Sequence, residues 1–252
     1  KPIFPLLIKM SIPTIIGMLI SVIYNVTDTF FVGQLHNRSM IAAIGVVFSF
    51  VSVIQAIGFW YGYGSGNVMS KKIGAKDYAE AEIFSSIGIV IAIVTGIVIA
   101  IAAYIFVVPL AKLIGGSASQ DVLTFTVQYL KIIIISIPFS LYALTVYNQL
   151  RLCGNVRDGM LGLLSGMLSN MVLDPVLMFV FKQGFIGAGY ATLIGQIIGC
   201  IVLTLLAKRH ESISFNLKKV QYSKEHIYHI LAGGMPNFSR QAITSAALVL
   251  LN

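Results

Sequence analysis

A membrane-embedded bundle of α-helices is the fold class that this sequence predicts, and three observations predict it. Hydrophobic residues make up 57% of the chain and charged residues only 10%, against roughly a quarter charged in an ordinary soluble domain. The apolar residues are gathered into runs long enough to cross a hydrocarbon layer, which takes about 20 helical residues. Short polar segments such as 34–38 and 181–184 separate those runs. In water such a chain would expose large apolar patches, whereas in lipid each helix satisfies its own backbone and the apolar surface is solvated.

Six runs qualify, near Ile12 to Leu35, Ile41 to Val68, Ile83 to Pro109, Val122 to Leu150, Met160 to Phe181 and Ile186 to Ala207; a seventh opens near Ile227 and continues to Asn252. Residues 1–207 therefore read as a six-helix transmembrane lobe, 208–226 as a basic linker at the membrane surface, and 227–252 as the first part of a further helix. The short connections make neighbouring helices antiparallel. The first run is long and lacks a small-residue cleavage site, so it reads as an insertion signal and not as a removed leader.

Lysine and arginine set the expected orientation, because cytoplasmic loops carry their excess. With the N-terminus inside, the cytoplasmic face takes Lys1, Lys9, Lys71, Lys72, Lys76, Arg151, Arg157, Lys208, Arg209, Lys218, Lys219 and Lys224. The outer face keeps Arg38, Lys112 and Lys182, and Lys131 and Arg240 fall within spans. The expectation is a multi-pass protein of the cell's inner membrane. This asymmetry accounts for the net charge of +8 and calls for no nucleic-acid partner. Cys153 falls in an inner loop and Cys200 toward the inner end of the sixth run, where a disulfide is not expected, and their spacing suggests no metal.

The candidate site comes from the acids, of which the chain has nine. Asp77, Glu80, Glu82, Asp121, Asp158, Glu211 and Glu225 lie in loops or at helix ends, leaving Asp28 and Asp174 within apolar runs. A carboxylate at mid-membrane costs at least about 2.5 kcal/mol on insertion scales, so intramembrane acids mark ion or proton pathways. At 1.5 Å per residue Asp28 lies about 24 Å, and Asp174 about 21 Å, beyond the inner ends of their helices. Both should therefore sit in the outer half and face one cavity. Residues three or four apart share a helix face, which stacks Tyr24 and Asn25 beneath Asp28 and Asn170 beneath Asp174. Thr192, about 10 Å below the outer surface by the same rise, is level with them. Two carboxylates, an amide and a hydroxyl form a hard-oxygen site for a cation or proton; the alternative is that they hydrogen-bond helices together.

Other features point to packing. Gly58, Gly62 and Gly66 recur every fourth residue and let helices approach closely. Pro138 and Pro13 are possible kinks. Trp60, Tyr61 and Tyr63 are expected at an interfacial aromatic belt.

Several stretches resemble the MATE (multidrug and toxic compound extrusion) family, prokaryotic branch. The first helix, from Ile12-Pro13 through Tyr24-Asn25-Val26-Thr27-Asp28 to Val32-Gly33, is similar to the family's opening helix. Gly64-Ser65-Gly66 through Lys71-Lys72-Ile73-Gly74-Ala75-Lys76-Asp77 resembles its second-to-third connection, and Leu150-Arg151-Leu152-Cys153-Gly154-Asn155 the loop after its fourth helix. Asn170-Met171-Val172-Leu173-Asp174-Pro175 and Gly187-Ala188-Gly189-Tyr190-Ala191-Thr192 resemble its fifth and sixth helices. The resemblance implies half of a twelve-helix, two-lobe antiporter that exports cationic and aromatic drugs while H+ or Na+ enters, with coupling residues at Asp28, Asn170, Asp174 and Thr192. It implies no catalytic residue and no cofactor beyond the coupling ion. The implied partners are small organic cations, the bilayer and a missing C-terminal six-helix lobe. Gly233-Gly234-Met235-Pro236 echoes Lys9-Met10-Ser11-Ile12-Pro13, as the start of a second repeat would.

Two rival functions are weighed. An intramembrane aspartyl protease would use two membrane carboxylates, but its Tyr-Asp and Gly-x-Gly-Asp contexts are not those of Val-Thr-Asp28-Thr and Val-Leu-Asp174-Pro. A lipid-linked oligosaccharide flippase of the wider superfamily would carry several basic residues in its cavity, where this chain places only Lys131 and Arg240 within spans.

Overall fold

The computed structural model describes residues 3–210 and 223–251; the side chains of 1–10, 13, 14, 18, 21, 25 and 244–252 lie outside the described set. Eight α-helices are seen among the described residues: α1 (Ile3–Gly33), α2 (Arg38–Gly74), α3 (Tyr78–Ile105), α4 (Val107–Leu113), α5 (Gln120–Leu152), α6 (Val156–Pro175), α7 (Phe185–Ala207) and α8 (Lys224–Leu251). Six of these segments are long and apolar enough to cross a membrane, matching the six predicted runs. Most of the predicted linker, residues 211–222, lies outside the described residues.

The helix ends follow local chemistry. Asn37 caps α2, its Oδ1 accepting from the Ser39 and Met40 amides at 2.9 and 3.4 Å. Asp77 caps α3 through the Glu80 amide at 3.2 Å, and Ser119 caps α5 through the Val122 amide at 3.2 Å. Each satisfies an amide that the first helical turn leaves without a partner. The short helix α4 and a 3-10 turn at Gly116–Ala118 were not expected from the sequence. Pro109 explains part of this: it sits in the first turn of α4, where a missing N–H costs nothing, so the apolar run breaks near Phe106 and restarts.

Contacts between helix ends fix two faces. On one, the Phe31 and Phe179 rings meet at 6.3 Å and Phe125 and Phe185 at 5.7 Å. On the other, His210 pairs with Asp158 at 2.7 Å, and the Phe84 and His226 rings lie 4.8 Å apart. The second face gathers Lys71, Lys72, Lys76, Arg157, Lys208, Arg209 and Lys224, at or beyond the ends of α2, α6, α7 and α8.

The bundle is inverted relative to a soluble protein. Exposed apolar residues recur at helical spacing, as Ile15, Leu19, Val22 and Val26 on α1 and Val94, Ile97, Val98, Ile101 and Ile105 on α3, the pattern of faces meant for lipid. Several polar side chains are buried, and Gln149 is the most connected. Its Nε2 donates to Ser65 Oγ at 3.0 Å and to the Ser85 carbonyl at 3.2 Å, while its Oε1 accepts from Ser85 Oγ at 3.2 Å. One amide thus ties α2, α3 and α5.

Gly58, Gly62 and Gly66 pack α2 against Leu144, Asn148 and Leu152 of α5, the packing role expected of them. The expected aromatic belt does not form. Trp60 Nε1 donates to the Leu231 carbonyl at 2.8 Å and its ring stacks on Phe238 at 4.5 Å. Tyr61 is buried, its hydroxyl 3.2 Å from Thr95 Oγ1, and Tyr63 accepts from Arg151 at 3.1 Å. The reason is rotational: these rings fall on the side of α2 that meets α3, α5 and α8, so helix contacts outcompete the headgroup layer.

Helix α8 lies so close to α2 that a Cβ on Gly64 would collide with the Ile230 carbonyl, a backbone atom that has no rotamer to yield. Gly64→Val should push α8 from α2, at about 1–3 kcal/mol for overpacking. The chain's single tryptophan, Trp60, should then shift its emission to the red as it loses Leu231 and Phe238, with a lower melting temperature. Gly45→Ala, where an added Cβ meets nothing within 4 Å, should change neither adversely; unaltered emission and melting in Gly64→Val would refute the docked position of α8.

Candidate functional site

The proposed residues are brought together by one tight helix crossing. Gly195 of α7 backs onto α6 so closely that an added Cβ would stand 2.8 Å from the Gly166 carbonyl and 3.0 Å from Asn170 Cβ. Asn170 is thereby held at 2% exposure, its Nδ2 donating to Thr192 Oγ1 at 3.2 Å. Thr192 Oγ1 donates in turn to the Ala188 carbonyl one turn back, at 3.1 Å. Tyr24 of α1 and Tyr129 of α5 line one cavity together with Thr192.

A cavity of about 290 Å³ opens beside this cluster, lined among others by Tyr24, Asp28, Tyr129, Asn170, Thr192 and Gln196. Asp28 faces it directly. Asp174 does not line it: the side chain is 0% exposed, packed behind Asn170 at the end of α6. The two carboxylates are near enough to interact electrostatically, and both act on Tyr24 and Tyr129. Asn25 belongs to α1, but its side chain lies outside the described residues.

Donors are in short supply for the acids. Asp28 Oδ1, Asn170 Oδ1 and both Asp174 oxygens are buried without a hydrogen-bond partner among the described residues. Most buried polar atoms are paired, and each exception calls for an explanation. The local backbone contributes: Pro175, next to Asp174, brings no N–H, and α6 gives way there to a π-helical turn, Val176–Val180, a type of turn frequent at functional sites.

Sequence reasoning missed Tyr129, Gln196 and Gln55, all of which line the cavity. Gln196 was within reach, since it stands four residues after Thr192 and so on the same face. Tyr129 gave no signal, because its place depends on α5 approaching α7 where Gly189 lies 3.4 Å, Cβ to ring, from it. Among the described residues no group of three or more His, Cys, Asp or Glu could hold a metal, and both cysteines are free.

Comparison with known proteins agrees with this architecture. The family model MatE matches residues 13–176. The multidrug export protein MepA of Staphylococcus haemolyticus is 32% identical over 251 residues, covering 99% of this chain and 55% of that protein. A multidrug resistance MATE family transporter solved in an outward-facing conformation is similar with a TM-score of 0.87 at 25% identity, over 96% of this chain and 54% of that one. The inward-facing conformation of such a transporter gives 0.86 at 25% identity, over 98% and 56%. The chain thus spans about half the length of the relatives it matches, and those relatives are transporters, not enzymes. With a family model covering most of the chain and the fold shared throughout, this protein belongs to the MatE family of multidrug transporters.

Proposed function

We propose that this chain forms one lobe of a secondary active antiporter that exports organic cations in exchange for H+ or Na+, the ion being carried by Asp28 and Asp174 with Asn170 and Thr192 completing the site. The observation that carries the reading is the surplus of buried acceptor oxygens: four, on Asp28, Asn170 and Asp174, without a donor among the described residues. A proton or a small cation supplies what they lack and relieves the repulsion between the two acids. Asn170 and Thr192 are neutral, so they add oxygen ligands without adding negative charge. Tyr24, which lines the same cavity, is a supporting residue.

Residues 1–207 would be the first lobe, and α8 would open a second, the two rocking about the site. The near-equal likeness to outward- and inward-facing relatives, 0.87 and 0.86, supports a lobe that moves as a rigid body. The basic face bearing Lys71, Lys72, Lys76 and Arg157 would lie in the cytoplasm, as would the N-terminus.

Three outcomes test this reading. In a background with Cys153 and Cys200 replaced by alanine, cysteines at Lys76 and Arg157 should resist an impermeant reagent applied outside whole cells, while those at Gln34 and Gln183 should react; equal labelling would reverse or abolish the orientation. Reconstituted alone, the 252-residue chain should move no dye under an imposed gradient, and gradient-dependent efflux by it would overturn the two-lobe requirement. In a transporter of full family length that carries this lobe, Asp174→Asn and Asp28→Asn should each insert normally yet lose at least about tenfold in gradient-driven efflux, a loss of roughly 1.4 kcal/mol or more in coupling. Asp121→Asn, at the exposed start of α5, should transport normally. Imposing pH and sodium gradients separately identifies the ion, and normal efflux by the double Asp28→Asn, Asp174→Asn variant would move coupling elsewhere.

A further inference from the structure

A second cavity, of about 240 Å³, abuts the first, with Phe59, Leu144, Leu163 and Met167 forming walls of both. Charge is partitioned between them. Among the described residues, the larger is lined by Asp28 and by no Lys or Arg, whereas the smaller is lined by Arg151 and Arg240 and by no Asp or Glu.

Arg151 stands in the last turn of α5, at the basic face of the bundle, and is partly buried. Its Nη1 donates to Tyr63 Oη at 3.1 Å, and Tyr147 lines the cavity with it. None of the ion pairs among the described residues includes it. A guanidinium has five N–H donors in a planar fork, and one phenol leaves several unused. Such a fork prefers the paired oxygens of a phosphate or carboxylate. Around it Phe59, Met160, Leu163 and Met167 present apolar walls, which suit the body of an amphiphile and not a hydrated ion. The volume fits a headgroup with its first methylenes. Basic pockets between helices, at a membrane face already rich in lysine, are the recognised setting for anionic headgroups, and that face here carries Lys71, Lys72, Arg157, Lys208 and Arg209.

We propose that this second cavity binds a phosphate oxyanion carried by an anionic lipid, its headgroup seated on Arg151 between Tyr63 and Tyr147 and its chains leaving along the apolar walls. The ion-coupling residues Asp28, Asn170, Asp174 and Thr192 are not among its walls.

The single tryptophan makes the test direct. Trp60 follows Phe59 and stacks on Phe238, the neighbour of Asn237, so it is flanked by two residues of the cavity wall. The chain is reconstituted in phosphatidylcholine vesicles containing a minor fraction of phosphatidylglycerol brominated on its acyl chains, and Trp60 quenching is compared with that from the same fraction of brominated phosphatidylcholine. One basic contact predicts about fivefold enrichment of the anionic lipid, read as correspondingly stronger quenching. Arg151→Gln should bring the two lipids level, and Arg151→Lys, which keeps the charge without the fork, should fall between. An unchanged emission maximum before lipid bromination certifies that each variant is folded; should Arg151→Gln fail that check, Tyr63→Phe, which removes the phenol that aims the guanidinium, must also weaken the preference. Equal quenching by the two lipids in the unaltered protein, or a preference that survives Arg151→Gln, overturns the site, the latter because surface lysines alone would then account for it. Inorganic phosphate added at the buffer's physiological strength should leave the preference intact, and its abolition by phosphate alone would make the occupant a free anion and overturn the lipid.

Discussion

Close backbone approach between α2 and α5 is the contact on which the rest of this bundle depends. Lipid offers helices no hydrophobic reason to associate, so packing and buried polar bonds must supply it. Gly58, Gly62 and Gly66 remove side-chain bulk along one face of α2 and let Leu144, Asn148 and Leu152 settle against its backbone. The Gln149 amide then finds Ser65 and Ser85 within reach and adds α3 to the pair. Both cavities have walls on this unit: Phe59 and Leu144 belong to each. A wider α2–α5 spacing would move those walls and open the separation between acidic and basic compartments.

A second tight crossing, of α6 on α7, does for polar chemistry what the first does for packing. Gly166 and Gly195 bring backbones together so that Asn170 reaches Thr192, and α1 and α5 contribute Tyr24 and Tyr129 to the same cavity. Thr192 and the Asn170 amide nitrogen find partners there, whereas one Asp28 oxygen and both Asp174 oxygens find none among the described residues. That imbalance is local, since Asp158 finds His210, and Asp77 and Glu80 find Lys72, at ends of helices where water also reaches.

What the sequence revealed and what it hid follow from the same physics. Bilayer thickness dictates span length, so six spans were readable to within a few residues at most ends, and the scarcity of acids singled out Asp28 and Asp174 without any knowledge of the fold. Spacing of three and four added Tyr24 and Asn170, because residues on one helix carry their own geometry. Lateral arrangement is a property of no single helix. Tyr129 joins Thr192 at the cavity only because α5 and α7 touch at Gly189, and Tyr63 meets Arg151 only because α2 and α5 run parallel in one register. The aromatic trio was misassigned for this reason: indole and phenol favour the headgroup layer in general, and here neighbouring helices offered them more. The sealed position of Asp174 was hidden too, since depth along a helix says nothing of which wall faces the cavity.

The π-helical turn after Pro175 has a mechanical meaning beyond the hydrogen bond that the proline omits. A π-turn holds one residue more than an α-helical turn would use for the same bonding pattern. That residue is slack, stored within the membrane at the very place where Asp174 sits. Taking it up would turn the helix on one side of it by roughly 100° relative to the other, the angle per residue of an α-helix, without lengthening the chain or unwinding the span. Helix α6 therefore holds an extra residue of winding that begins two positions after the buried Asp174 carboxylate, so any change in that winding would rotate Asp174 relative to the outer end of its span.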